Sequence, residues 1–316
     1  MKLVISIDVE EEGLFRGEYA RVPAGVANVA QLSRLKFIPE EFGFPLTLLV
    51  TYQVARDPAA RQVLHYWRDR HGSEIGAHLH PWNTPPFEPL PWPEPVRAEK
   101  LPRELLKAKL ASLRAAIEKH LGVSPRSFRM GRFDGSAQVF SLLPELGFKV
   151  DSSMVPLTLQ VGGPDFFLVG ADPFWLRPAG PQGPPLLEVP LTLVPVLSQA
   201  PRLVARLSAS LPGPWGPWLK VSFRYWGAAG LQPVGYPGAS LRLAARLHRR
   251  RRGKVLNMFF HSSELMPGAS PHFPTDESVN RFTTKIRNLL AWLVKRGPVK
   301  GVTLSDLYQE GGEFLG

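Results

Sequence analysis

Two short segments hold the residues that could do chemistry together. Ser6-Ile7-Asp8-Val9-Glu10 closes the first apolar run, and Gly76-Ala77-His78-Leu79-His80-Pro81-Trp82 closes another. In an extended backbone, residues two apart project to the same side, so Asp8 aligns with Glu10 and His78 with His80. Two acids and two imidazoles around one cavity make the ligand set of a hydrolytic metal site. A divalent ion takes deprotonated oxygen or imidazole donors, and hydrolysis needs a further carboxylate to accept a proton from water. Either pair alone reads as a solvated loop start, extended by Glu11 and Glu12, or as packed histidines. Together, each ending an apolar run, they read as a metal site.

Such a site needs a scaffold that brings strand ends together. Apolar or β-branched runs recur at 3–8, 46–51, 74–78, 127–130, 148–151, 186–189, 255–261 and 301–304. Helical patterns separate many of them. The clearest covers 102–121, where Leu106, Leu110, Leu113 and Ile117 share a face and Gly122 follows. A second covers 276–295, with Val279, Phe282, Ile286, Leu289 and Leu293 on one face, Thr275 as N-cap, and Asp276 and Glu277 at the positive end of the helix dipole. This alternation predicts an α/β fold, a distorted or incomplete (β/α) barrel of seven or eight strands, with an open doubly wound sheet as the alternative. No glycine-rich fingerprint follows the first strand, which removes the usual argument for a dinucleotide site. In a barrel, functional residues gather at the C-terminal ends of strands, and Asp8, His78, Arg129 and His261 fall at or near such ends.

The chain of 316 residues shows no convincing linker and is expected to form a single domain over 1–316. Its 33 prolines and 28 glycines imply long irregular loops. One is expected at 83–102, beside the histidine pair. Another is an irregular Pro/Trp-rich excursion over 191–238, and either could close over a substrate. The absence of cysteine excludes disulfides and thiolate metal sites. A net charge of +11 predicts anionic partners. The densest patch, Arg246 with Arg249-Arg250-Arg251-Arg252 and Lys254, lacks interleaved stacking aromatics, so nucleic acid is not expected. The N-terminal apolar run is too short for a secretory leader, and no stretch is long enough to cross a bilayer. These features predict a cytoplasmic protein. Trp215, Trp218, Phe223, Tyr225 and Trp226, near Lys220 and Arg224, leave open a peripheral contact with anionic membrane.

These residues together resemble the polysaccharide deacetylase family, the NodB-homology or carbohydrate esterase family 4 fold, and most closely its divergent branch found beside polysaccharide biosynthesis genes. The resemblance covers most of the chain outside the Pro/Trp-rich excursion. It implies a metal-dependent hydrolase that removes N- or O-acyl groups from sugars on a distorted β/α barrel. The family's first motif has adjacent aspartates, a base and a metal ligand; here Asp8-Val9-Glu10 is similar, with Asp8 as base and Glu10 as ligand, one residue out of step. The second motif has two metal-binding histidines four apart after an Ile-Gly pair. His78 fits the first, Trp82 stands in place of the second, and His80 could substitute from the same face. Ser127-Phe128-Arg129-Met130-Gly131-Arg132-Phe133 looks like the segment whose arginine orients the base, so Arg129 is its match and Arg132 could instead face substrate. Leu256-Asn257-Met258-Phe259-Phe260-His261 resembles the final motif, which implies His261 as general acid.

Asp151-Ser152-Ser153 and Asp172-Pro173-Phe174-Trp175 both compete for the remaining motif. Glu188 is read as lining the mouth, and Trp82 and Trp175 as faces on which a pyranose could stack. The expected activity is metal-dependent removal of an N-acetyl, O-acetyl or formyl group from a sugar, polysaccharide or lipid-linked sugar precursor. One divalent ion is expected, with zinc as first choice for mixed imidazole and carboxylate donors. Two alternatives stand beside it. One is a glycoside hydrolase pairing Asp8 or Glu10 with Asp134 or Glu188. The other is a non-catalytic glycan- or membrane-binding protein on a decayed deacetylase scaffold.

Overall fold

Eleven strands and the helices between them are described by a computed structural model that covers residues 1–22, 25–177 and 185–311. The strands are β1 (Lys2–Val9), β2 (Thr47–Val50), β3 (Glu74–Leu79), β4 (Ser127–Met130), β5 (Val150–Asp151), β6 (Phe174–Leu176), β7 (Leu186–Glu188), β8 (Leu193–Pro195), β9 (Ala228–Gly230), β10 (Val255–His261) and β11 (Lys300–Gly301). The main sheet runs in the order β10-β1-β2-β3-β4-β5-β7-β6, with β11 also on β1. From β10 to β7 every pairing is parallel; only β6 is antiparallel.

The curl of this sheet is closed by side-chain and loop contacts in place of a further strand. Beyond β7, Thr192 N donates to Asn257 O at 3.1 Å, Asn257 N donates to Thr192 Oγ1 at 2.7 Å, and Asn257 Nδ2 donates to Val189 O at 3.1 Å. The result is the distorted, incomplete barrel that the alternation predicts. The doubly wound alternative does not describe it.

Both predicted helices form. Arg103–Leu121 buries Leu106, Leu110, Leu113 and Ile117, each worth about 1.5–3 kcal/mol of burial. Asp276–Lys295 buries its predicted face. Thr275 caps it in a reciprocal pair with Ser278, the Thr275 Oγ1 accepting from Ser278 N at 3.2 Å.

Two local expectations give way. The run 301–304 supplies only one strand residue, Gly301, because Thr303 caps a short helix, Leu304–Gln309, by accepting from Asp306 N at 3.2 Å. Residues 191–238, expected to be irregular, carry the helices Ala200–Ser210 and Trp215–Trp226, anchored by antiparallel β8 and β9. Their prolines sit where a helix tolerates them. Pro201 and Pro217 lie in first turns, whose N–H groups have no intrahelical acceptor, and Pro214 is an N-cap. Proline count therefore disguised two helices as a loop.

Register decides which side chains meet. Asp8 lies beside His261 across β1 and β10, and His78 lies beside Arg129 across β3 and β4. Four strand ends thus deliver an acid, two imidazoles and a guanidinium to one end of the barrel.

Candidate metal centre

The chain leaves β1 at Val9, and its next residue is pinned from both sides. Asn28 Nδ2 donates to Glu10 O at 2.9 Å, and Glu10 N donates to Ser262 Oγ at 3.3 Å. This fixes the Glu10 carboxylate over the barrel mouth. Its Oε2 lies 3.5 Å from His78 Nε2 and 3.4 Å from His80 Nε2. The three donor atoms lie within 4.8 Å of one another, and all three residues are buried.

The imidazole tautomers follow from the far sides of the rings. His78 Nδ1 lies 3.1 Å from Arg129 O, a carbonyl that can only accept, so Nδ1 carries the proton and Nε2 presents its lone pair to Glu10. His80 Nδ1 lies 2.6 Å from Glu11 Oε1. A ligand histidine backed by a carbonyl or a carboxylate is the arrangement that orients imidazoles toward a metal and raises their basicity.

Charge points the same way. Burial would raise the Glu10 and Glu11 carboxyls, but the facing histidines outweigh it and hold both below the usual carboxylate range. Burial would lower His80, but Glu11 and Glu10 push it up to about 10. The pocket therefore stabilises positive charge at the His80 nitrogen, and a divalent cation answers that demand with no proton needed. The donor set fits a metal.

Around this triad lie the residues expected to act on substrate. Arg129 is fully buried and spends its guanidinium on four contacts: Asp8 Oδ1 at 2.7 Å, Ser6 Oγ at 2.8 Å, Ser152 O at 2.8 Å and Ser152 Oγ at 2.9 Å. Asp8 is thereby held in one orientation, with Oδ2 3.6 Å from His78 Nε2. His261 is partly exposed. Its Nδ1 donates to Glu264 Oε1 at 3.0 Å, which turns Nε2 toward Glu10 Oε1, 4.0 Å away. Burial would lower its pKa, but Glu264, Glu10 and Asp8 raise it to about 9.

A cavity of about 220 Å³ opens over these groups, walled by Phe15, Tyr19, Trp82, Arg132 and Phe133. Trp82 stacks on His80, centroids 4.3 Å apart. Arg132 and Phe133 both adopt left-handed backbone, φ 58° and 54°, a costly conformation for non-glycine residues that turns the chain over the site directly after β4. Gly131 before them is required by packing: a Cβ there would lie 2.5 Å from the His80 ring.

Trp175 and Glu188 are not brought to this cavity. Trp175 sits on the antiparallel edge strand β6 against Tyr308, centroids 5.7 Å apart, and packs against the cluster that contains Val4, Leu49 and Val302. Glu188 is fully buried, its Oε1 accepting from Met154 N at 3.1 Å. Burial and the neighbouring Asp151 raise its carboxyl well above the usual range. Of the competing motif segments, Asp172 is structural, accepting from Lys254 N at 2.8 Å and His248 Nε2 at 3.1 Å.

Glu11 and Glu264 were missed as participants. Strict alternation sends Glu11 away from Glu10, but the strand has already ended and the backbone turns it back beneath His80. Glu264 carried a faint signal, standing three residues after His261 at the start of a helical turn.

No protein-family model matches the sequence, and no curated protein does. Solved structures do match. A protein from Mycobacterium smegmatis, described as a polysaccharide deacetylase, superposes with a TM-score of 0.58 at 19% identity, over 98% of this chain and 89% of the other. One from Pseudomonas aeruginosa PAO1 with the same description gives 0.54 at 14% identity, over 98% and 89%. A GH57 branching enzyme from Thermococcus kodakaraensis gives 0.55 at 12% identity, over 98% and 71%. The chain is thus a distorted (β/α) barrel of the NodB kind. That is the fold of these two polysaccharide deacetylase structures. A glycoside-active enzyme also shares the barrel, so the fold alone does not choose the reaction.

Proposed function

We propose that this protein is a metal-dependent hydrolase that removes an acyl group from a carbohydrate. The observation that carries the reading is the convergence of His78 Nε2, His80 Nε2 and Glu10 Oε2, with both Nδ1 atoms anchored behind. These three residues hold the ion, zinc by preference for mixed imidazole and carboxylate donors. When bound, a divalent ion there supplies polarisation of the acyl oxygen and acidification of water.

The chain's own groups supply the proton movements. Asp8, oriented by Arg129, accepts the proton of the attacking water at Oδ2. His261, whose raised pKa keeps it protonated at neutral pH, donates from Nε2 to the departing amine or alkoxide. Trp82 and Tyr19 provide flat apolar walls suited to a pyranose face, and Arg132 offers donors to ring hydroxyls or an anionic group.

The glycoside hydrolase alternative lacks a partner acid at the cavity. Asp134 is taken by Arg97 at 3.1 Å and by Ala98 N at 2.6 Å, and Glu188 is buried beside Asp151, outside the cavity lining. It also leaves three converging imidazoles unexplained.

Acetate release from N-acetylated chitooligosaccharides and acetylated xylan, by zinc-loaded and chelated protein, tests the proposal. Zinc-dependent release that D8N abolishes is the expected result. Cleavage of glycosidic bonds without acyl release would overturn it.

A further inference from the structure

The net charge of the chain is not spread over it. Between Glu188 and Glu264 the sequence has no Asp or Glu but eleven Lys and Arg, which leaves 27 cations and 27 acids elsewhere. The whole excess of +11 therefore sits in the part of the chain that contains the two helices of the excursion and the polybasic turn after the helix Gly238–Arg250.

These helices leave their apolar residues in solvent. On Trp215–Trp226, Trp215 (60%), Trp218 (60%), Tyr225 (77%) and Trp226 (59%) are exposed, at spacings of three, ten and eleven from the first, all on one helix face. On Ala200–Ser210 and its exit, Leu203, Leu207 and Leu211 are exposed at intervals of four. The same helices bury Val204 and Phe223 in a core cluster, so the hairpin is seated and the exposure is not a sign of loose packing. Arg251 fastens the polybasic turn to the hairpin root, donating to Pro195 O at 2.7 Å and Val196 O at 2.9 Å, next to exposed Leu197.

We infer that the helical hairpin and the adjoining polybasic turn form a docking face for an anionic lipid bilayer. Exposed indoles and a phenol suit the headgroup boundary, leucines suit the acyl region just below it, and an arginine-rich surround is drawn to anionic headgroups. A second copy of the chain is a poor occupant. A two-fold contact would set the same acid-free cationic segment against itself. The face also borders the metal centre: the cluster that seats Val204 and Phe223 includes Phe259, whose ring lies 4.7 Å from His261 and 5.0 Å from Phe133 in the cavity wall. Docking would bring the cavity close to the membrane surface.

Vesicle co-sedimentation tests this without reference to catalysis. The full chain should bind mixed phosphatidylcholine–phosphatidylglycerol vesicles at low salt, bind pure phosphatidylcholine vesicles far less, and lose binding as salt rises. W215A/W218A should bind about tenfold more weakly or worse, as should R249Q/R250Q/R252Q. Both variants should keep the parent's thermal transition, since the replaced side chains are exposed. Tryptophan emission of the parent should shift to the blue on the mixed vesicles, and that of W215A/W218A much less. Absence of binding at low salt, equal binding to neutral vesicles, or binding unchanged in both variants would each overturn the inference. So would a dimer in light scattering that W215A/W218A dissociates, which would assign the face to a second copy. D8N should bind vesicles like the parent, so a failure of the hydrolase reading leaves this result standing.

Discussion

Glu11 stands directly behind His80, its Oε1 2.6 Å from the ring Nδ1, while the neighbouring acid Glu10 stands in front, 3.4 Å from Nε2. Consecutive residues thus grip one imidazole from opposite sides. Asn83 donates to the same Glu11 oxygen, so the carboxylate behind the ring is itself anchored. The front acid can share an ion with the histidine, and the rear acid sets the tautomer that makes sharing possible.

The rear acid should therefore matter for affinity without being a ligand. Glu11→Gln should weaken zinc binding by about 10- to 100-fold, the range for losing a carboxylate behind a ligand histidine. His80→Ala should weaken it further, and His78→Ala comparably. Isothermal titration of zinc into the apo proteins measures all three. Unchanged affinity in Glu11→Gln would show that the 2.6 Å contact does not tune the ligand.

Stability should report the same binding. An ion that binds only the folded state adds about 2.7 kcal/mol at a free concentration of a hundred times Kd. The parent's Tm should rise with zinc and fall with chelator, and Gly131→Ala should lose most of that response, because its new Cβ would lie 2.5 Å from the His80 ring. Differential scanning calorimetry of the two proteins with and without zinc decides it.

Legibility in the sequence followed physical locality. Asp8 and His78 were readable because alternation along a strand is rigid, and Glu10 and His80, one residue past the ends of β1 and β3, still converge with them; the helix face of Asp276–Lys295 was readable because 3.6-residue periodicity is equally strict. Trp175 and Glu188 were placed wrongly for a related reason. Their strands were legible, but which groups each side chain meets depends on register between strands, which no local pattern encodes. Glu11 escaped because it lies just past a strand end, where alternation ceases to apply. The two excursion helices escaped because prolines in first turns look like loop residues when only counted.

Arg129 joins fold to chemistry, so its loss should show in both. Arg129→Met keeps the bulk but strips Asp8, Ser6 and Ser152 of a shared buried donor. Breaking such a pair costs about 3–5 kcal/mol. Urea denaturation should show a loss of that size. Asp8→Asn keeps neutral hydrogen bonding to the guanidinium and should cost less stability, while abolishing acyl release and retaining zinc. A fully active Asp8→Asn would remove Asp8 from the role of base.

The alkaline limb of the activity profile should belong to His261. As general acid it works protonated, and its raised pKa, about 9 against 6.5 unperturbed, places the loss of the acid near pH 9. The linkage has the same sign. A histidine whose folded pKa is raised adds stability that is fully present below about pH 6.5 and is lost as pH rises through about 9. Glu264 faces the ring at 3.0 Å and contributes the largest of the charges that raise it, ahead of Glu10 and Asp8. Glu264→Gln should therefore move the alkaline limb of kcat/KM down by about one pH unit or more, while zinc content stays at the parent level. If the limb stays near pH 9 in this variant, the group that titrates is not His261, and the proton for the leaving group comes from elsewhere in the cavity.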